Sequence, residues 1–227
     1  MPTAITDVDA ERALVHADGL LIGVDEVGRG ALAGPVCVGA VLIAPHSIES
    51  VPTGLTDSKE LSPSARTALV PLIHAWAVAY GVGFAAAAEV DAVGVVAALR
   101  RAGERAMSAL NAMADGALSN AVNAVALLDG SHNWLSRPAM LELPLDGVRP
   151  DPCPDHDSDI ASAPRVVTRV KADLTCASVA AASVLAKVAR DAHMVELATQ
   201  HPAYGWEGNK GYASAGHADA LAMFGAT

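Results

Sequence analysis

The run Leu20-Leu21-Ile22-Gly23-Val24 ends in two adjacent carboxylates, Asp25 and Glu26, and a glycine-rich stretch separates it from a second apolar run, Val36 to Ala44. Short, continuous apolar runs bounded by turn residues read as strands buried inside a sheet. Successive side chains on a strand point to opposite faces, so two neighbouring acids at its end are costly unless a cation or an edge position accommodates them. The next residues, Gly28-Arg29-Gly30, allow close backbone approach on both sides of a guanidinium. A loop of that kind suits a phosphate or the edge of a sugar.

At 227 residues the chain suits one sizeable domain. Hydrophobic residues make up 52%, mostly alanine and valine, with only 4% aromatic. That balance favours helices packed closely on a sheet, an α/β class, over a large ligand cavity. Cys37, Cys153 and Cys176 form no paired spacing, which excludes a disulfide framework or a zinc site as the organising element and makes a reducing cytoplasm the expected setting. The N-terminus is acidic where a signal peptide is basic and then apolar, and no stretch has the charge-free length of a membrane span.

The formal charge of −10 argues against a polyanionic partner until its distribution is considered. Glu142, Asp146, Asp151, Asp155, Asp157 and Asp159 lie in one short segment with a single base, Arg149, so this segment alone carries −5. Residues 131–164, rich in proline and without sustained periodicity, are expected to form a mobile surface insertion.

Strands are expected over Leu20 to Asp25, Val36 to Ala44, Ala77 to Ala86, Val122 to Leu128 and Val166 to Val170. The first three, joined by short connections, should pair antiparallel. Ser62-Pro63 places an N-cap before a helix reaching about His74. Glu89 to Gly94 reads as a short helix or turn, Val95 to Met113 as an amphipathic helix, and Thr175 to about Thr199 as the longest helix. A last helix is expected from Ser214 to Met223.

Asp25, Glu26, Asp129 and Asp173 each fall at or near the C-terminal end of an expected strand, where segments distant in sequence converge in open sheets. Singly, Asp129-Gly130 reads as a turn and Asp173 as a helix cap. Together the four acids repel one another unless divalent cations intervene, and an oxygen-only set suits Mg²⁺ or Mn²⁺. Two such ions activate water and stabilise the leaving oxygen of a phosphodiester. Gly28-Arg29-Gly30-Ala31-Leu32-Ala33 matches a dinucleotide fingerprint, but that fingerprint opens a helix, and here Gly34-Pro35 and a β-branched run come next. There is no phosphate-binding G-x-x-x-x-G-K loop, no G-x-S-x-G and no H-E-x-x-H, and the eight histidines show no ligand spacing.

The chain resembles bacterial type 2 ribonuclease H, ribonuclease HII. The matching segments are Gly23 to Gly30 with Leu32 to Val36; Asp57-Ser58-Lys59 with Leu61-Ser62; Leu128-Asp129-Gly130; Lys171 with Asp173; Ala180 to Ser183 with Ala186-Lys187 and Arg190-Asp191; and Pro202, Tyr204-Gly205 and Lys210-Gly211-Tyr212. They occur in the family's order over nearly the whole chain. The resemblance implies one RNase H-like domain over 1–227, with a central five-stranded mixed sheet, three antiparallel strands then parallel ones, flanked by helices, and a substrate-contacting helical region at 201–227. It implies endonucleolytic hydrolysis of RNA in RNA–DNA hybrids and incision 5′ of single ribonucleotides embedded in duplex DNA, leaving 3′-hydroxyl and 5′-phosphate ends. Carried over, Asp25, Glu26, Asp129 and Asp173 are the metal-binding catalytic acids, with Mg²⁺ or Mn²⁺ as cofactor. Gly28, Arg29 and Gly30 contact the ribonucleotide and its 2′-hydroxyl, and Tyr212 packs on the sugar at the junction. Lys59 meets a phosphate, with Ser183 and Lys187 as further substrate contacts.

The family usually has glycine where this chain has Ala172 and histidine where it has Asn209. The chain ends about where the family continues into a basic segment, whose loss would weaken binding before chemistry. It leaves no room for the extra N-terminal domain of a ribonuclease HIII. A monomer without membrane contact is expected, and a replication-clamp partner is open. The competing reading is a catalytically silent hybrid-binding module on the same fold, disfavoured because a binding module gains nothing from acids facing a polyanion.

Overall fold

The computed structural model describes residues 8–14, 19–118, 123–136 and 164–227. In chain order the elements are α1 (Val8–Leu14), β1 (Leu20–Val27), β2 (Val36–Ile43), α2 (Pro63–Trp76), β3 (Ala79–Ala85), α3 (Ala87–Val93), α4 (Val95–Met113), β4 (Ala124–Asp129), β5 (Arg165–Arg169), α5 (Ala172–Thr175), α6 (Ala177–Gln200), α7 (Trp206–Asn209) and α8 (Ala215–Phe224). The five strands form one sheet in the order β3-β2-β1-β4-β5. The β1–β2 and β2–β3 pairs are antiparallel, and β1–β4 and β4–β5 are parallel. None of the helices among the described residues is long and apolar enough to cross a membrane.

β1 runs two residues further than the apolar pattern indicates. Pairing with β4 stops at Val24↔Leu128, but pairing with β2 continues through Asp25↔Gly39, Glu26↔Val38 and Val27↔Cys37. Both acids therefore sit inside a strand held on one side only, which opens the other side to the residues at the end of β4.

Each face of the sheet carries its own core. Ile22, Val24, Val38 and Leu42 pack against Leu99, Ala102, Ala106 and Leu110 of α4. Leu21, Val41, Ile43 and Leu127 pack against α6 and against Leu69 and Ile73 of α2. The helices lie unusually close to the strands. A methyl group added at Gly23 would sit 2.1 Å from the Ser178 carbonyl carbon, and one at Gly39 would sit 2.3 Å from the Ala182 oxygen. On the other face, Gly81 and Gly83 give the same clearance to Ala106 and Ala102 of α4. Glycine in the strands and alanine in the helices thus replace side-chain interdigitation with near backbone contact, which accounts for a core poor in aromatics.

Two features depart from the sequence reading. Of the stretch 131–164, residues 131–136 are described, and Trp134 (1% exposed) and Leu135 pack in the α4 core against Gly103, so these positions are core and not surface insertion. The acid-rich part falls in 137–163, outside the described residues. The helix α1 has no counterpart in the apolar pattern, and it buries Glu11 completely. The Glu11 carboxylate accepts hydrogen bonds from the Ala177 amide (2.8 Å), the Ser178 amide (2.9 Å) and the Ser178 hydroxyl (2.5 Å). Because Cys176 makes no side-chain cap, this distant glutamate caps the longest helix.

Candidate active site

The alternation of β1 turns Asp25 toward α6 and Glu26 toward the opposite face. Asp25 is 5% exposed, and its Oδ1 accepts the Glu26 amide at 2.8 Å. Asp129 ends β4, one step beyond the last β1–β4 pair, on the same face as Asp25. Its Oδ1 accepts the Ala172 amide (2.8 Å) and, more weakly, the Asp173 amide (3.5 Å). Asp129, not Asp173, is therefore the cap of the short α5 turn, and that capping draws Asp173 alongside it. Lys171 enters the turn with φ 60°, a left-handed conformation that reverses the chain after β5.

The four acids share one electrostatic field. Burial pushes the Asp25 carboxyl well above the usual range; a Ser183 hydrogen bond opposes the shift, and the charges of Glu26, Asp129 and Asp173 add to it. Burial also raises Glu26 against the pull of Arg29, whose guanidinium lies 3.4 Å away. Asp173 is raised by burial and by Asp129 and Asp57, with Lys59 opposing. Burial is the first cause in all three and neighbouring acids add to it, and the donor set is oxygen alone. Those are the conditions a hard divalent cation satisfies. Among the described residues, no three His, Cys, Asp or Glu side chains are already gathered into a metal cage, so the fit rests on charge and donor type.

The glycine-rich loop lies beside the acids and is fastened from behind. Gly28 has φ 92°, which disfavours a side chain, and a methyl there would strike the Arg190 guanidinium at 2.4 Å. Its amide donates to the Tyr212 hydroxyl at 3.3 Å. Gly30 differs, since a methyl at Gly30 would meet nothing within 4 Å and its φ is ordinary. Nothing inside the protein requires glycine there, and the cleared space opens outward. The Leu32 and Ala33 amides both donate to the Gly211 carbonyl, joining the loop to the C-terminal region. As expected, the element after this loop is β2 and not a helix.

Tyr212 is half-buried, with the Lys187 ammonium 5.4 Å and the Arg190 guanidinium carbon 5.2 Å from its ring centre. His217 takes the Trp206 indole N–H on Nε2 (3.1 Å), which leaves Nδ1–H to donate to the Tyr212 carbonyl (3.0 Å). Asn209, where the family usually has histidine, accepts the Gly211 amide at 2.8 Å and donates to the Tyr204 carbonyl at 2.7 Å. It staples the turn that presents Tyr212. Ala172 gives its amide to Asp129 and is itself fully buried in the core on the α6 face.

Ser183 is 3% exposed, lies beside Asp25 and donates to Ser58 Oγ at 2.9 Å. Lys59 projects to solvent with its ammonium 3.2 Å from Asp173, and Lys187 pairs with Asp191 at 2.7 Å. Arg190, part of a family-matching segment, is fully buried and donates to the carbonyls of Pro35 (2.8 Å), Lys210 (2.8 Å) and Ala33 (3.1 Å). The signal was present in the spacing 183, 187, 190 and 194, which keeps Arg190 on one helical face with the buried Ser183 and Met194.

A five-stranded mixed sheet of this order, with acids on adjoining ends of its central strands and helices on both faces, is an RNase H-like fold. Solved structures with the same fold include ribonuclease H2 from Pyrococcus horikoshii (TM-score 0.61, 23% identity, covering 92% of this chain and 90% of that one). A Bst ribonuclease HIII in complex with Mn²⁺ is similar as well (TM-score 0.61, 20% identity, covering 98% and 74%). The family model for ribonuclease HII matches residues 22–227. A ribonuclease HII from Streptomyces avermitilis is 39% identical over 219 residues, which is 96% of this chain and 78% of that protein. The chain belongs to the ribonuclease HII family. It is therefore a divalent-metal-dependent endonuclease of the ribonuclease H type, an enzyme class acting on the RNA strand of RNA–DNA hybrids.

Proposed function

We propose that the protein, besides cutting hybrids, incises 5′ of single ribonucleotides embedded in duplex DNA, leaving 3′-hydroxyl and 5′-phosphate ends. The observation that carries this reading is the fastening of Gly28 to Tyr212 directly beside the acids, which combines a 2′-hydroxyl reader and a sugar platform in one rigid unit. Asp25, Glu26, Asp129 and Asp173 would hold the metal, Mg²⁺ or Mn²⁺, as a pair of ions. The bound ions supply water activation and charge for the leaving oxygen. The chain's own residues do the rest. Gly30 leaves room for the sugar to approach, Gly28 and Arg29 address the 2′-hydroxyl, and Tyr212 packs on the sugar at the junction. Lys59 and Lys187 meet phosphates on the flanks. Support for Tyr212 as a platform is that its ring is braced by two cations and its carbonyl by His217.

The test is a nicking assay on a duplex with one ribonucleotide, with Mg²⁺ or Mn²⁺, comparing wild type and Asp129→Asn. The variant should lose nearly all cleavage while keeping its fold. Undiminished cleavage by Asp129→Asn would rule out the metal role of the acids, and cleavage of hybrids without nicking at single ribonucleotides would rule out the junction role.

A further inference from the structure

Lys59 stands between two buried carboxylates that differ in how they are held. Its ammonium is 3.2 Å from Asp173 Oδ2 and 3.8 Å from Asp57 Oδ2, while 75% of its side chain is exposed and the two acids are 6% and 7% exposed. Asp57 is anchored in its own turn. Its Oδ1 accepts the Lys59 amide at 3.0 Å and faces the Ser58 hydroxyl at 3.5 Å, and Ser58 in turn is bound by Ser183. That leaves Asp57 Oδ2 turned toward the ammonium at 3.8 Å, close enough for its charge to be felt at Asp173 as well. Asp173 belongs to the cluster, beside Asp129. A lysine ammonium and a divalent cation cannot both hold Asp173 at contact distance without mutual repulsion, and the doubly charged ion prevails.

We propose that Lys59 is the internal counter-ion of the acid cluster, and that metal binding transfers it from Asp173 to Asp57, where it faces the backbone of the nucleic acid. Asp57 is then a positioning residue: it keeps the released ammonium at the rim of the site. The inference rests on the reading of Asp173 as a metal ligand. Its signature is a pair of effects of opposite sign, because Lys59 opposes the metal and favours the substrate.

The experiment is Mn²⁺ titration by calorimetry at low salt, without nucleic acid, on wild type, Lys59→Met, Asp57→Asn, Asp173→Asn and the Lys59→Met/Asp173→Asn double variant, with steady-state cleavage of an RNA–DNA hybrid alongside. Lys59→Met should bind Mn²⁺ about three- to tenfold more tightly, the scale of one partly screened charge at this range. At saturating Mn²⁺ it should raise KM with kcat nearly unchanged. Asp57→Asn, which retains the cap acceptor, should raise KM without tightening Mn²⁺ binding. The gain from Lys59→Met should vanish in the Asp173→Asn background. Unchanged or weaker Mn²⁺ binding by Lys59→Met overturns the exchange, provided Asp173→Asn loses Mn²⁺ affinity. If Asp173→Asn binds Mn²⁺ as wild type does, it is the metal role of Asp173 that fails.

Discussion

Arg190 shows how one side chain can organise a site it does not enter. Its guanidinium is buried, serves three carbonyls from two segments and lies against the Tyr212 ring, so it sets the spacing between the Gly28 loop and the platform. Replacing it with methionine leaves these carbonyls without donors, at about 1–3 kcal/mol for each that water does not reach. Arg190→Met should therefore lower the urea midpoint substantially. Arg190→Lys should fall between it and wild type, since an ammonium cannot reproduce the planar fork. A methionine variant as stable as wild type would show that the three contacts do not matter. At Gly23 the constraint is steric. An alanine methyl 2.1 Å from the α6 backbone must push the helix away, so Gly23→Ala should cost about 1–3 kcal/mol or more, read from the same denaturation, and should displace Ser183 from Asp25.

At the scale of elements, α1 reaches the start of α6 through the Glu11 carboxylate, with Leu14 packed on the same core. The family match begins at residue 22, so this helix lies outside it, yet Glu11 satisfies two amides at the start of the helix that carries Ser183, Lys187 and Arg190. Glu11→Ala should destabilise the protein by about 1–2 kcal/mol, the upper range for loss of a cap. Loss of less than a few tenths of that would mean water replaces the carboxylate. α3 and α4 are joined differently, by Glu89 bridging Arg105 at 2.8 and 2.9 Å. Hydrogen bonds from Arg105 hold the Glu89 carboxyl down to about 2 from an ordinary 4.5. A depressed folded value means the pair stabilises the fold above pH 4.5, and this contribution is lost as pH falls toward 2. Stability measured across that window should decline less steeply in Glu89→Gln than in wild type.

For the whole molecule, a net charge of −10 makes nucleic-acid binding depend on a few placed cations. If Lys187 meets a phosphate, Lys187→Met should lower the slope of log affinity against log salt by about 0.9 and weaken all duplexes alike. An unchanged slope would leave Lys187 as a brace for Tyr212 alone. The order of strands and helices was legible because apolar runs and their periods are local properties. The acids were legible because each comes after such a run. Ser62-Pro63 and the span Val95 to Met113 were read directly for the same reason, through a cap and a helical period. Other features were not legible. The helix α1 is a short polar segment with no apolar stripe to announce it. Trp134 sits in a proline-rich stretch that gives no period, and β1's last two residues are held in the strand by β2 alone. Glu11 looked like an ordinary polar residue, and Asp57 and Arg190 were marked only by the family resemblance, with no sign of what each one holds. The sequence by itself determined which strands form and which acids stand at their ends. Only the tertiary structure decided which charges are buried and what each one holds, because partners such as Arg190 and Pro35, or Glu11 and Ser178, lie far apart in the chain and meet only when the sheet and α6 close on each other.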